Sequence, residues 1–86
     1  MGSIPEGYSG AMGKTMIVMM DAMPPNGLLK NTDNAFAQVM IPHHRAAIDM
    51  AKVVLKYTTD QQTIAFANQL ISNEQVEVEQ MSTFLK

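Results

Sequence analysis

Apolar positions recur at helical spacing over three stretches of the chain. In the first, Met12, Met16, Met19 and Met23 follow one another at intervals of 4-3-4, with Met20 alongside. The run stops at "PPNG" (Pro24 to Gly27), because proline lacks the N–H that a helix interior needs. This predicts a helix from about Ala11 to Met23. The second stretch carries Phe36, Met40, His43, Ala47, Met50, Val54 and Tyr57 on one line. Ala37, Ile41, His44, Ile48, Ala51 and Leu55 form a line beside it. Gln38, Arg45, Asp49, Lys52 and Lys56 fill the remaining face, so the pattern is an amphipathic helix with a wide apolar side, from about Asp33 to Tyr57. Pro42 lies inside it and predicts a kink near residues 38–42 rather than a break. Thr32 or Asp33 suits its N-cap. The third line is Ile64, Ala67, Ile71, Glu74, Val78, Met81 and Leu85, backed by a wet face of Asn68, Ser72, Gln75, Glu79 and Ser82. It predicts a helix from about Asp60 to Leu85, opened by a capping box of Thr59 and Gln62.

The predicted fold is all-α: an antiparallel hairpin of two long helices with a shorter Met-rich leading helix. Residues 1–11, rich in Gly, Ser and Pro, read as a flexible lead-in, and 12–86 as a single helical domain. At 86 residues a single core is marginal. The wide apolar faces therefore predict a two-fold homodimer that completes a bundle.

Composition removes several function classes. Without cysteine there are no disulfides and no thiolate metal sites. A net charge of −2 and the lack of a basic run give no footprint for nucleic acid. No apolar run reaches the roughly 20 residues that span a bilayer. The start, "MGSIPEGYSG", has neither part of a signal peptide, so the chain reads either as cytosolic or as a mature secreted form. Nucleophile elbows and phosphate loops are missing too.

What remains is a concentration of ligand-type side chains on the apolar lines. His43 and His44, the only two histidines, fall on the core face of the second helix, about 100° apart. On the third helix Glu74 interrupts an apolar line and Glu77 borders it. A carboxylate in such a place is rare unless paired or ligated. Met40, Met50 and Met81 occupy the same lines. One reading is a structural His–Glu hydrogen bond; the other is a metal site built from two imidazoles, two carboxylates and three thioethers. The leading-helix set Met12, Met16, Met19, Met20 and Met23, part of a total of nine methionines, divides in the same way. Methionine is a soft core filler, and its thioether is also a soft ligand for Cu(I) and Ag(I). Asp49 reads as a surface ion pair with Arg45, and Glu79 as solvated.

The run "DNAFAQVMIPHHRAAIDMAKVVLKY" followed by "FANQLISNEQVEVEQMSTFL" resembles the small secreted bacterial family called domain of unknown function 305, which includes CopM-like copper-tolerance proteins. "MIVMMDAM" is similar to the Met-rich helix that precedes the His-His signature in that family. The resemblance implies a helical bundle of the ferritin-like superfamily and copper or silver binding in the periplasm. By motif position it implies Met40, His43, His44 and Met50 as ligands, with Met81 on the facing helix. Glu74 departs from the family's usual Gln, and the chain carries one helix-hairpin copy where many members carry two.

The expectation is thus a non-enzymatic periplasmic or secreted protein that sequesters Cu(I) or Ag(I), with Cu(II) a further candidate, or hands it to a periplasmic transfer partner. Two other readings stand beside it. One is a ferritin-like oxidase using His and Glu on a metal, although no Glu stands three residues before either histidine, as the usual di-iron motif requires. The other is a metal-free helical interaction module.

Overall fold

A computed structural model describes residues 4–24 and 32–83 as three helices: α1 over Tyr8–Ala22, α2 over Thr32–Tyr57 and α3 over Gln61–Ser82. Among the described residues there is no strand, as the helical spacing predicts.

α1 starts earlier than its apolar pattern suggests, because Gly7 provides a left-handed cap with φ 89°. From there the Gly7 carbonyl accepts the Ala11 N–H at 2.9 Å. A side chain at this position would also run into Tyr57, whose hydroxyl would lie 3.0 Å from a Cβ. Next to Gly7, Tyr8 meets Tyr57 edge-on, with ring centroids 5.8 Å apart and an interplanar angle of 87°. Glycine is therefore needed twice over, for its positive φ and for the close approach of α1 to the end of α2. The helix ends at Ala22, ahead of Pro24, as the proline pair dictates.

α2 passes through Pro42 without interruption. The missing N–H leaves the Gln38 carbonyl without its helical donor, and the buried proline ring faces Val18, Met19 and Ala22 of α1. Thr32 and Asp33 lie within the first turn and are not the cap. The residue before them is outside the described residues. Asp33 there complements the positive end of the helix dipole, and Lys56 complements the negative end.

The cap of α3 is Asp60, not Thr59. Its Oδ2 accepts both the Thr63 N–H and the Thr63 hydroxyl at 2.8 Å. The Asp60 N–H in turn donates to the Thr58 hydroxyl at 3.1 Å. Both residue types are good caps, and the aspartate gains the charge-assisted bond. Those bonds, the Thr63 side chain first and its backbone N–H second, hold the Asp60 carboxyl below its ordinary value of 3.8. The third helix ends at Ser82, and Leu85 lies outside the described residues.

Packing makes α2 the central element. α1 and α3 both pack on it and not on one another. Near the connection, Val54 of α2 and Thr63 of α3 line the same groove. At the far end Ala37 and Ile41 pack with Met81. The buried positions are small or medium in size: Ala37, Ile41, Ala46, Ile48, Ala51, Ala67 and Met81, with Thr15 from α1. Ala37 is wholly inaccessible, and no large side chain reaches that state. Alanines bring the helix backbones together, so little volume needs filling between them. The three helices form a body of 48 × 23 × 15 Å with a radius of gyration of 15.1 Å. A compact domain of this length has a radius of gyration of about 12 Å, so the arrangement is elongated.

The second of the two apolar lines of α2 supplies most of the core. Ala37, Ile41, Ile48 and Ala51 are buried, and His44 and Leu55 are half-buried. The first line lies on the flank, where Phe36 and His43 are exposed. The lead helix differs as well. Its buried residue is Thr15, whose hydroxyl donates to the Met12 carbonyl at 2.6 Å. Its face toward α2 carries Ala11, Thr15, Val18, Met19 and Ala22. Met16 and Met20 are exposed, and Met12, Met19 and Met23 are half-buried.

Two outcomes follow from the ends of the helices. Gly7→Ala lowers stability by about 1–2 kcal/mol, the cost of a left-handed residue bearing a Cβ, measured by chemical denaturation. For Asp60, a depressed folded pKa means a contribution present above the unfolded pKa and lost as pH falls through the folded one. Asp60→Ala should therefore lower the thermal midpoint at pH 7, with the gap to the parent chain narrowing as pH falls below the ordinary value of 3.8 and through the lower folded one.

Candidate metal centre

The α2–α3 contact contains the only described group of three or more His, Asp or Glu side chains whose ligand atoms converge. His44, Glu74 and Glu77 place one such atom each within 4.8 Å of the others. The register explains how they meet. His44 lies one turn after Met40 on α2, and Glu77 lies one turn before Met81 on α3. Met40 and Met81 pack together with Ala37, Ile41 and Val78 in the same cluster. Fixing that apolar contact fixes the polar one beside it.

Each nitrogen of His44 has a defined partner. Nδ1 lies 3.0 Å from the Met40 carbonyl oxygen. A carbonyl only accepts, so Nδ1 carries the hydrogen and donates it. Nε2 lies 3.1 Å from Glu77 Oε1 and 3.3 Å from Glu74 Oε2. With Nδ1 protonated, a neutral imidazole has a lone pair at Nε2, facing two carboxylates that have only lone pairs to offer. A hydrogen held between Nε2 and a carboxylate, as an imidazolium supplies, or a metal cation in its place resolves this conflict.

Even the imidazolium leaves a group unserved. Its single Nε2 hydrogen serves the nearer Glu77, and Glu74 Oε2 is buried without a hydrogen-bond partner. Glu74 Oε2 is close enough to be attracted to the ring, and no hydrogen points to it. A buried carboxylate oxygen in this position is costly unless a positive charge lies against it. The trio is accessible from outside: the Glu77 side chain is 51% exposed, against 12% for His44 and 21% for Glu74.

The other candidate ligands are distributed more widely. His43 is exposed, and its ring is tilted 59° from that of His44 at 6.2 Å between centroids, so it does not enter the trio. Its expected place on the core face is corrected here: Met40, Ala47, Met50 and Val54 on the same line are half-buried, but the line is open at His43 itself. Met40 and Met81 lie next to the trio. Met50 lies farther along the helix pair, in an apolar groove with Ala47, Val54, Phe66 and Leu70. Of the α1 methionines, Met19 faces Pro42 and Ala46 of α2, and Met16 and Met20 are exposed. Asp49 forms no ion pair with Arg45 among the described residues. It is half-buried and faces α1 beside Thr15, Val18 and Lys52. No residue outside the expected set enters the trio.

The fold and this centre define a small all-α domain with a His–carboxylate cluster between two of its helices. Over residues 3–85 the chain matches the family model described as Domain of unknown function (DUF305), and it belongs to that family. No curated protein matches it. Among the described residues no helix is long and apolar enough to cross a membrane.

The hydrogen bond at Nδ1 predicts a distinct ring state for each histidine. Nitrogen-detected NMR of the imidazoles in the metal-free protein should show a protonated, slowly exchanging Nδ1 for His44. His43 should show averaged tautomers. Averaging at both rings would contradict the geometry.

Proposed function

We propose that the chain is a metal-binding protein of the copper-tolerance type, holding Cu(I) or Ag(I) through imidazole and thioether donors. The observation that carries this reading is the fixed orientation of His44. Its Nδ1 is committed to the Met40 carbonyl, which turns Nε2 toward Glu74 and Glu77 of α3, one turn along from the apolar cluster that holds Met40 and Met81. A ring held by its far nitrogen is the usual way a protein presents a histidine to a metal. Thioethers one turn away suit a soft monovalent ion and need no deprotonation.

The ligand ranking differs from the motif alone. His44 leads, with Met40 and Met81 next to it. His43, Met50 and the α1 methionines Met12, Met16, Met19, Met20 and Met23 become lower-affinity or secondary donors. Exposed Met16 and Met20 offer an entry surface for soft ions. In this account the protein works in the periplasm or outside the cell, sequestering metal or passing it to a transfer partner. An oxidase of the ferritin-like kind is less well supported, because the one described cluster offers a single imidazole and two carboxylates per chain.

The same account takes α2 and α3 as a helical hairpin that forms half of a ferritin-like four-helix bundle, the other half coming from a second copy. The support is the exposed apolar surface: Phe36, Val39, Phe66 and Val76 are all open to solvent, and a second copy would cover them.

Three outcomes test these points. In Ag(I) or Cu(I) competition titrations, His44→Ala should weaken the tightest site at least about tenfold, in line with the usual cost of disturbing metal ligation, and His43→Ala much less. Equal losses, or none, would contradict the ranking. Changing Met12, Met16, Met19, Met20 and Met23 together to Leu keeps apolar volume nearly constant. It should lower the number of Ag(I) ions bound without weakening the tightest one. Sedimentation should give a dimer at micromolar concentration, and a monomer at high micromolar concentration would rule out the completed bundle.

A further inference from the structure

We propose that His44 Nε2 and one oxygen each of Glu74 and Glu77 form a site for a borderline divalent cation, Zn(II) or Cu(II), in addition to any soft-ion binding by the thioethers. Three features of the cluster carry this assignment: its spacing, its charge and its unserved lone pairs.

Zinc binds imidazole and carboxylate at about 2.1 Å, and the edge of a tetrahedron with such bonds is about 3.4 Å. The Nε2-to-oxygen separations of 3.1 and 3.3 Å are close to that edge. All three atoms fall within 4.8 Å of one another, so only the distance between the two carboxylates needs to contract. Glu77 is half exposed and free to make that adjustment, while His44 is held by its backbone bond.

Charge selects the ion. Two carboxylates and a neutral imidazole carry −2 together, which a divalent cation cancels and a monovalent one does not. Oxygen donors suit Zn(II) and Cu(II) and are poor partners for Cu(I) or Ag(I). The buried Glu74 Oε2, with no hydrogen aimed at it, is an acceptor for which the protein alone supplies no donor. A cation at the centre satisfies it, Glu77 and Nε2 at once. Three protein ligands leave a fourth position open on the exposed side of Glu77, which water or an incoming ligand would fill.

The site shares His44 with the soft-ion reading but uses different partners, so the two can fail separately. The full chain, stripped of metal, is titrated with Zn(II) by calorimetry in a non-chelating buffer, and with Ag(I) in parallel. The parent chain should bind one Zn(II) per chain. Glu74→Gln and Glu77→Gln should each weaken Zn(II) by at least about tenfold and leave Ag(I) binding unchanged. Met40→Leu with Met81→Leu should weaken Ag(I) and leave Zn(II) unchanged. His44→Ala should weaken both, and His43→Ala should leave Zn(II) unchanged. Paramagnetic resonance of the Cu(II) form should show coupling to a single nitrogen, a readout that does not depend on any variant folding. Absence of Zn(II) binding at 100-fold excess, Zn(II) binding unaffected by both glutamine variants, or two nitrogens on Cu(II) would overturn the proposal. Loss of Ag(I) binding alone in the parent would overturn only the soft-ion reading.

Discussion

The fold depends on the closeness with which α1 and α3 lie on α2. Ala37, Ala46, Ala51 and Ala67 remove side-chain bulk at the contacts, so the backbones approach one another and the apolar volume between them stays small. Burial of that kind stabilises modestly per residue, because alanine hides little surface and a methylene contributes only about 0.8 kcal/mol. The register it sets is tight, however. Once Ala37 and Ile41 sit against Met81, a helix rise of about 1.5 Å per residue leaves little freedom in where His44 meets Glu74 and Glu77. The candidate metal centre is thus a consequence of the core next to it.

That adjacency joins stability to binding. Three polar side chains occupy positions on an otherwise apolar contact, and their mutual geometry leaves acceptor capacity unused. Apolar residues of similar size would spare the cost of desolvating them. The buried Glu74 oxygen, with no hydrogen aimed at it, is the feature on which the proposed cation site rests. Binding of an ion to the folded form would stabilise a marginal chain by mass action.

Much of this was legible in the sequence, and the parts that were not have identifiable causes. The three helices follow from spacing and from the proline pair at 24–25. Glu74 stood out because a carboxylate on an apolar line asks for a partner. The choice between His43 and His44 was not legible. Both lie on an apolar arc wider than one neighbouring helix covers, and only the position of α3 decides which imidazole is enclosed. The packing side of α1 was not legible for a related reason: apolar spacing marks a face, but the small residues Ala11 and Thr15 determine which side packs closely. Thr59 and Asp60 are both good caps one residue apart, and the ψ of 125° at Asp60 settles it.

In the proposed function His44, with its ring fixed by the Met40 carbonyl, is the ligand shared by every high-affinity site. The most direct measurement is anomalous diffraction from crystals of the protein grown with Zn(II) and, separately, with Ag(I). The account predicts a peak within bonding distance of His44 Nε2 for both ions, flanked by Glu74 and Glu77 for Zn(II), and Nδ1 still bonded to the Met40 carbonyl. Peaks confined to His43 or to the exposed methionines of α1, with the His44 ring still paired to the two glutamates, would contradict it.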